Sequence, residues 1–81
     1  MYSKDAIILR INELCKIYRI TYYELANRSC ITLSTLLNIT NGSACNPTIR
    51  TVYKICMGFG ITMREFYDSE YFGINMIMDD D

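Results

Sequence analysis

The sequence predicts an all-α domain of five short helices, and three features carry that prediction. Apolar residues recur at spacings of three and four, the period of one helix face. Thr21, Thr32, Thr48 and Thr62 each stand just ahead of such a run, where a hydroxyl can accept a backbone N–H left free in the first helical turn. Asn41-Gly42 and Gly60 stand just behind two of the runs, where a left-handed residue ends a helix.

Taken in order, Ile7, Ile11, Leu14 and Tyr18 define the buried face of a first helix over residues 5–18. Ile8, Cys15 and Ile17 lie beside or off that face, apolar surface that a second subunit can cover. Thr21 and Glu24 form a Thr-x-x-Glu box, in which hydroxyl and carboxylate each accept an N–H, and it opens a second helix over residues 22–28 with Leu25 and Ala26 inward. After a break at residues 29–31, Thr32 caps a third helix over residues 33–41, with Leu36 and Ile39 on one face. Residues 43–46 are uncharged loop, Pro47 keeps the approach extended, and Thr48 caps a fourth helix whose expected buried stripe is Ile49, Val52, Tyr53, Cys56 and Phe59. Thr62 and Glu65 repeat the box for a fifth helix carrying Phe66 and Tyr67. No internal repeat is found.

With 81 residues the chain forms one domain, and 51% apolar content is enough for a single core. The net charge is -1, but it is unevenly spread. Residues 1–64 hold all eight Lys and Arg against Asp5, Glu13 and Glu24, while residues 65–81 hold six acids and no base. A basic body therefore carries an acidic tail. No apolar run approaches the roughly 20 residues of a membrane span, and no basic-then-apolar leader opens the chain, so the expected location is cytoplasmic with no membrane partner. Histidine is absent, and Cys15, Cys30, Cys45 and Cys56 lack the close spacing of zinc ligands, so reduced thiols, no metal, no cofactor and no enzymatic activity are expected.

Two helices joined by a three-residue break, with the small Ala26 in the first of them, form a helix-turn-helix. Ala26 allows close crossing, and Ile31, Leu36 and Ile39 complete the contact between the pair and the core. The stretches ITYYELANRSCITLSTLLNITNG and NPTIRTVYKICMGFGITMREFY resemble the five-helix, lambda-repressor-like DNA-binding domain of the Cro and repressor (Cro/C1-type, xenobiotic-response-element) regulators over residues 7–67. The match includes the capped start of the second helix, the small residue, the Asn-Gly stop, the Asn-Pro-Thr entry and the Gly-Ile-Thr link.

The resemblance implies a sequence-specific transcriptional regulator that binds double-stranded DNA as a homodimer, with the third helix in the major groove. It places base contacts on Leu33, Ser34 and Asn38, with Thr35 alongside. Asn38 suits the N6 and N7 edge of adenine, Ser34 bonds several bases, and Leu33 packs on a thymine methyl, so an A/T-leaning target is expected. Backbone contacts fall on Tyr22, Asn41 and Thr48. The helix starts at Thr21, Thr32 and Thr48 are anion-friendly, and Arg28 and Arg50 supply charge.

Four features depart from the family pattern. Tyr22 replaces a glutamine whose phosphate contact its hydroxyl can still make. Cys30 occupies a turn position that favours glycine, so a somewhat different turn is expected. The loop over residues 43–46 lacks the bases common in relatives, which weakens binding per monomer. Cys15 and Thr40 together replace a buried arginine-glutamate pair, so no lone charge is left inside.

Domain organisation is read as residues 4–69 for the helix-turn-helix domain and residues 70–81 for an apolar extension with an acidic end. In that extension Ile74, Met76 and Met78 alternate as in a strand, while Phe72, Ile74, Ile77 and Met78 allow a poor helix. Packing on its own body or on a second subunit is the preferred role. The alternative function is a protein-interaction module that keeps this fold without binding DNA, favoured by the net charge, the uncharged loop and Leu33 at a reading position.

Overall fold

Apolar spacing becomes packing in five α-helices: α1 Ser3–Tyr18, α2 Tyr22–Ser29, α3 Leu33–Thr40, α4 Ile49–Phe59 and α5 Met63–Tyr67, followed by a 3-10 turn at Glu70–Phe72. The computed structural model describes residues 3–43 and 47–72, and no strand occurs among them. Ile7, Ile11 and Leu14 of α1 meet Leu25 and Ala26 of α2, Leu36 and Ile39 of α3, and Phe66 of α5 around Val52, Ile55 and Cys56 of α4. Tyr18, expected on the buried face of α1, sits at its edge, half exposed, with its ring 5.8 Å from that of Phe59.

Three of the joints between helices are built alike. α1, α2 and α4 each end on a left-handed residue, Arg19 (φ 56°), Cys30 (φ 58°) and Gly60 (φ 76°). In each case the next residue is an isoleucine whose N–H returns to a carbonyl five residues back: Ile20 to Cys15 at 3.1 Å, Ile31 to Ala26 at 3.1 Å, Ile61 to Cys56 at 3.0 Å. All three isoleucines pack on the core, and a threonine cap follows each. The tripeptides Arg-Ile-Thr, Cys-Ile-Thr and Gly-Ile-Thr are thus one joint used three times, a short structural repeat inside a chain that shows no longer one. Cys30 corrects an expectation: a cysteine occupies the left-handed position and leaves the turn intact, because the returning Ile31 N–H and the half-buried Ile31 side chain, packed on the core, hold it there.

The buried stripe of α4 also differs from expectation. Val52, Ile55, Cys56, Gly58 and Phe59 face inward, whereas Ile49 is 76% and Tyr53 53% exposed. A step of four residues overshoots one helical turn by about 40°, so the row through positions 49, 53 and 57 drifts off the buried face. Which apolar row is buried is set by α2, the main partner of α4.

Arg10 ties the two ends of the domain together. Its guanidinium donates from Nε to the Phe66 carbonyl at 2.7 Å and from a terminal nitrogen to the Glu65 carbonyl at 2.9 Å, and it pairs with Glu13 at 2.5 Å. A cation on the last carbonyls of α5 satisfies acceptors that a helix end leaves open and opposes its dipole. Beyond α5, Phe72 lays its ring 4.7 Å from Tyr67 and 6.1 Å from Phe66, so the first residues of the extension pack on the body. The strand and helix readings of the rest of the tail, and Cys45, lie outside the described residues.

Candidate nucleic-acid interface

The helix-turn-helix is held from behind by α4. Ala26 is buried on the inner face of α2, and a Cβ added to Gly58 of α4 would stand 2.1 Å from Ser29 Oγ, 3.1 Å from Ser29 N and 3.1 Å from Leu25 Cδ1. The α2–α4 seam therefore has no spare volume at this point. Ser29 Oγ is buried there with no hydrogen-bond partner among the described residues.

What the seam presents is α3. Leu36 and Ile39 face the core, and at 100° per residue the opposite line runs through Ser34, Leu37, Asn38 and Asn41, with Leu33 at its edge. All five are exposed, and α3 carries no charged residue. Thr35, expected beside the base-reading positions, is exposed and also takes part in the cap: its N–H donates to Thr32 Oγ1 at 3.0 Å and the two hydroxyls share a hydrogen bond of 2.8 Å. Leu37 is on this face and was missed, although its four-residue spacing from Leu33 is the available signal.

The helix starts are of two kinds. At α2 and α5 a glutamate closes the box: Glu24 Oε1 accepts the Thr21 N–H at 3.1 Å, and Glu65 Oε1 accepts the Thr62 N–H at 3.1 Å. At α3 and α4 the partner three residues on is a second threonine, Thr35 or Thr51, and no acid occupies the first turn. The positive ends of α3 and α4 are thus free of carboxylate, while α2 has already taken one.

Of the expected backbone-contact residues, Thr21 and Tyr22 have their hydroxyls engaged within the chain, Thr21 with Glu24 and Tyr22 with Asn12 Oδ1. Asn41 accepts the Ser43 N–H on its Oδ1 at 2.8 Å, which leaves its amide as a donor beside the end of α3. Thr32, Thr48, Arg28 and Arg50 are exposed. The one ion pair among the described residues is Arg10 with Glu13. The positions of the replaced arginine-glutamate pair hold a half-buried Cys15, whose thiol burial pushes above its ordinary pKa, and Thr40, whose hydroxyl donates to the Leu36 carbonyl at 3.2 Å.

A family model, the Cro/C1-type HTH DNA-binding domain, matches residues 10–70. The chain belongs to this family. No curated protein and no solved structure matches it. The matched span of this Cro/C1-type domain runs from Arg10 to Glu70, the first residue of the 3-10 turn, and so includes both Arg10 and its acceptors on Glu65 and Phe66. Among the described residues no helix is long and apolar enough to cross a membrane, and no group of histidine, cysteine or acidic residues is placed to hold a metal.

Proposed function

We infer that this Cro/C1-type domain is a sequence-specific DNA-binding transcriptional regulator, cytoplasmic and without catalytic activity, that places α3 in the major groove. The observation that carries this reading is the outward face of α3: five exposed side chains that lie outside the buried core, displayed by helices that are tightly braced behind them. Base contacts are assigned to Leu33, Ser34 and Asn38. Thr35 serves first as the partner of the Thr32 cap. Phosphate contacts are assigned to the starts of α3 and α4 at Thr32 and Thr48, to the Asn41 amide, and to Arg28 and Arg50. At α2 a phosphate would meet backbone N–H groups beside Glu24, a weaker site than the other two.

A homodimer completes the reading. Two copies of α3 about one DNA turn apart double the few basic contacts of each monomer, and residues 70–81, an extension beyond the domain of residues 4–69, supply apolar surface for the pairing. Removal of residues 73–81 keeps the packed Phe72 and should lower the apparent mass in sedimentation; a truncated protein that remains dimeric would remove the tail from the interface.

The decisive experiment is selection of random duplex DNA at low and at physiological salt. An A/T-leaning sequence should be enriched, with affinity falling as salt rises. No enrichment at either salt would favour a protein-interaction module instead, a reading to which the charge-free face of α3 also lends itself.

A further inference from the structure

We propose that Leu33 and Leu37 act together as an apolar reading pair for two thymine methyl groups, an inference that rests on the DNA-binding reading of α3. The two residues are 37% and 40% exposed, although leucine is usually buried and Leu36 and Ile39 already supply the core contacts of this helix. They stand one turn apart on the outward side, and Ser34 and Asn38 form a second, polar row beside them at the same spacing. The face is therefore a quartet with one apolar and one polar row, and no cation is available to it from α3 itself.

The chemistry of the groove narrows what such a quartet can recognise. The C5-methyl of thymine is the apolar group on the major-groove edges of the bases, so an apolar row has one kind of base target. Residues four apart on a helix are separated by about 6 Å along its axis. Successive base pairs are about 3.4 Å apart, so the pair matches methyls roughly two steps apart. Asn38 in the adjoining row reads an adenine edge, so both rows point to the same A·T-rich half-site.

The test uses a duplex recovered by selection, with each thymine replaced in turn by deoxyuridine, a change that removes the methyl and leaves every hydrogen-bonding group in place. Two replacements, about two steps apart on one half-site, should each weaken binding of the parent protein about fourfold, the effect of one methyl-sized group. Leu33→Ala should be insensitive to one of these replacements and Leu37→Ala to the other, while both variants stay folded under the binding conditions, checked by melting, because neither residue belongs to the buried core. A selected duplex that tolerates uracil at every position overturns the reading pair and leaves DNA binding standing. Equal uracil sensitivity in Leu37→Ala and the parent also overturns it. Failure to select any duplex sinks the DNA-binding reading and the pair with it.

Discussion

The α2–α4 seam and the outward face of α3 lie on opposite sides of the same helix-turn-helix, and they are built to opposite rules. At the seam Ser29 and Gly58 approach so closely that one added carbon has nowhere to go, and the Ser29 hydroxyl is buried without a partner among the described residues. On the outer face Leu33, Ser34, Leu37 and Asn38 lie outside the buried core, yet they include two leucines that a purely solvated surface does not require. The difference teaches where each kind of constraint resides: residues at the seam answer to the fold, and residues on the face are free to answer to a partner.

Gly58→Ala should break the seam with the largest effect, a loss of about 3 kcal/mol in denaturant unfolding, because overpacking here meets backbone as well as side chain. Adding Ser29→Ala removes the nearest obstacle and the unpartnered hydroxyl, and should restore part of that loss. If Gly58→Ala melts like the parent, the close approach is not a feature of the folded protein. Ala26→Leu attacks the same side of α2 and should cost about 1 to 3 kcal/mol. An unchanged melting temperature would mean that α2 does not pack closely at Ala26.

Between seam and face stands the Cys30 joint. Cys30→Gly should stabilise the protein by about 1 kcal/mol, since the left-handed region disfavours a residue with a Cβ by that order. A neutral or destabilising result would show that the cysteine side chain contributes something that the strained backbone hides. The outer face should be the least sensitive to folding tests. Asn38→Ala is expected to change stability by less than about 0.5 kcal/mol, while weakening binding to a selected duplex by roughly 1 to 3 kcal/mol and leaving random DNA nearly unaffected. A large loss of stability would move Asn38 from the partner side of the comparison to the folding side.

Much of this architecture is legible in the chain because threonine caps and left-handed stops are local chemistry. Thr21, Thr32, Thr48 and Thr62 predict the helix starts to within a residue, since cap and capped N–H lie within one turn of each other. The recurrent Ile-Thr joint was equally local, but it is too short to register as a repeat. Features that depend on a distant partner were not legible. Helical spacing alone did not separate Ile49 and Tyr53 from Ile55, because two apolar rows run along α4 and α2 decides between them. Arg10 carries no sequence signal for its acceptors 55 and 56 residues away. The resemblance names Leu33, Ser34 and Asn38, and the structure shows only that all three are exposed on α3, whereas the engagement of Thr35 with Thr32 and of Tyr22 with Asn12 required coordinates.

The Arg10 clamp also bears on when the protein can finish folding as it is made. Its acceptors are the carbonyls of Glu65 and Phe66, so α1 leaves the ribosome long before the groups that hold it exist. At about 5 to 20 residues per second, the interval between synthesis of Arg10 and of Phe66 is roughly 3 to 11 s. During that interval the Arg10 guanidinium has Glu13 within its own helix but not its two distant carbonyl acceptors, and α2, α3 and α4 can assemble their own seam first. Closure of the Arg10 clamp is thus an event of the last helix to be synthesised, and a ribosome stalled before Glu65 would hold a chain with α3 made but with the acceptors of Arg10 still missing.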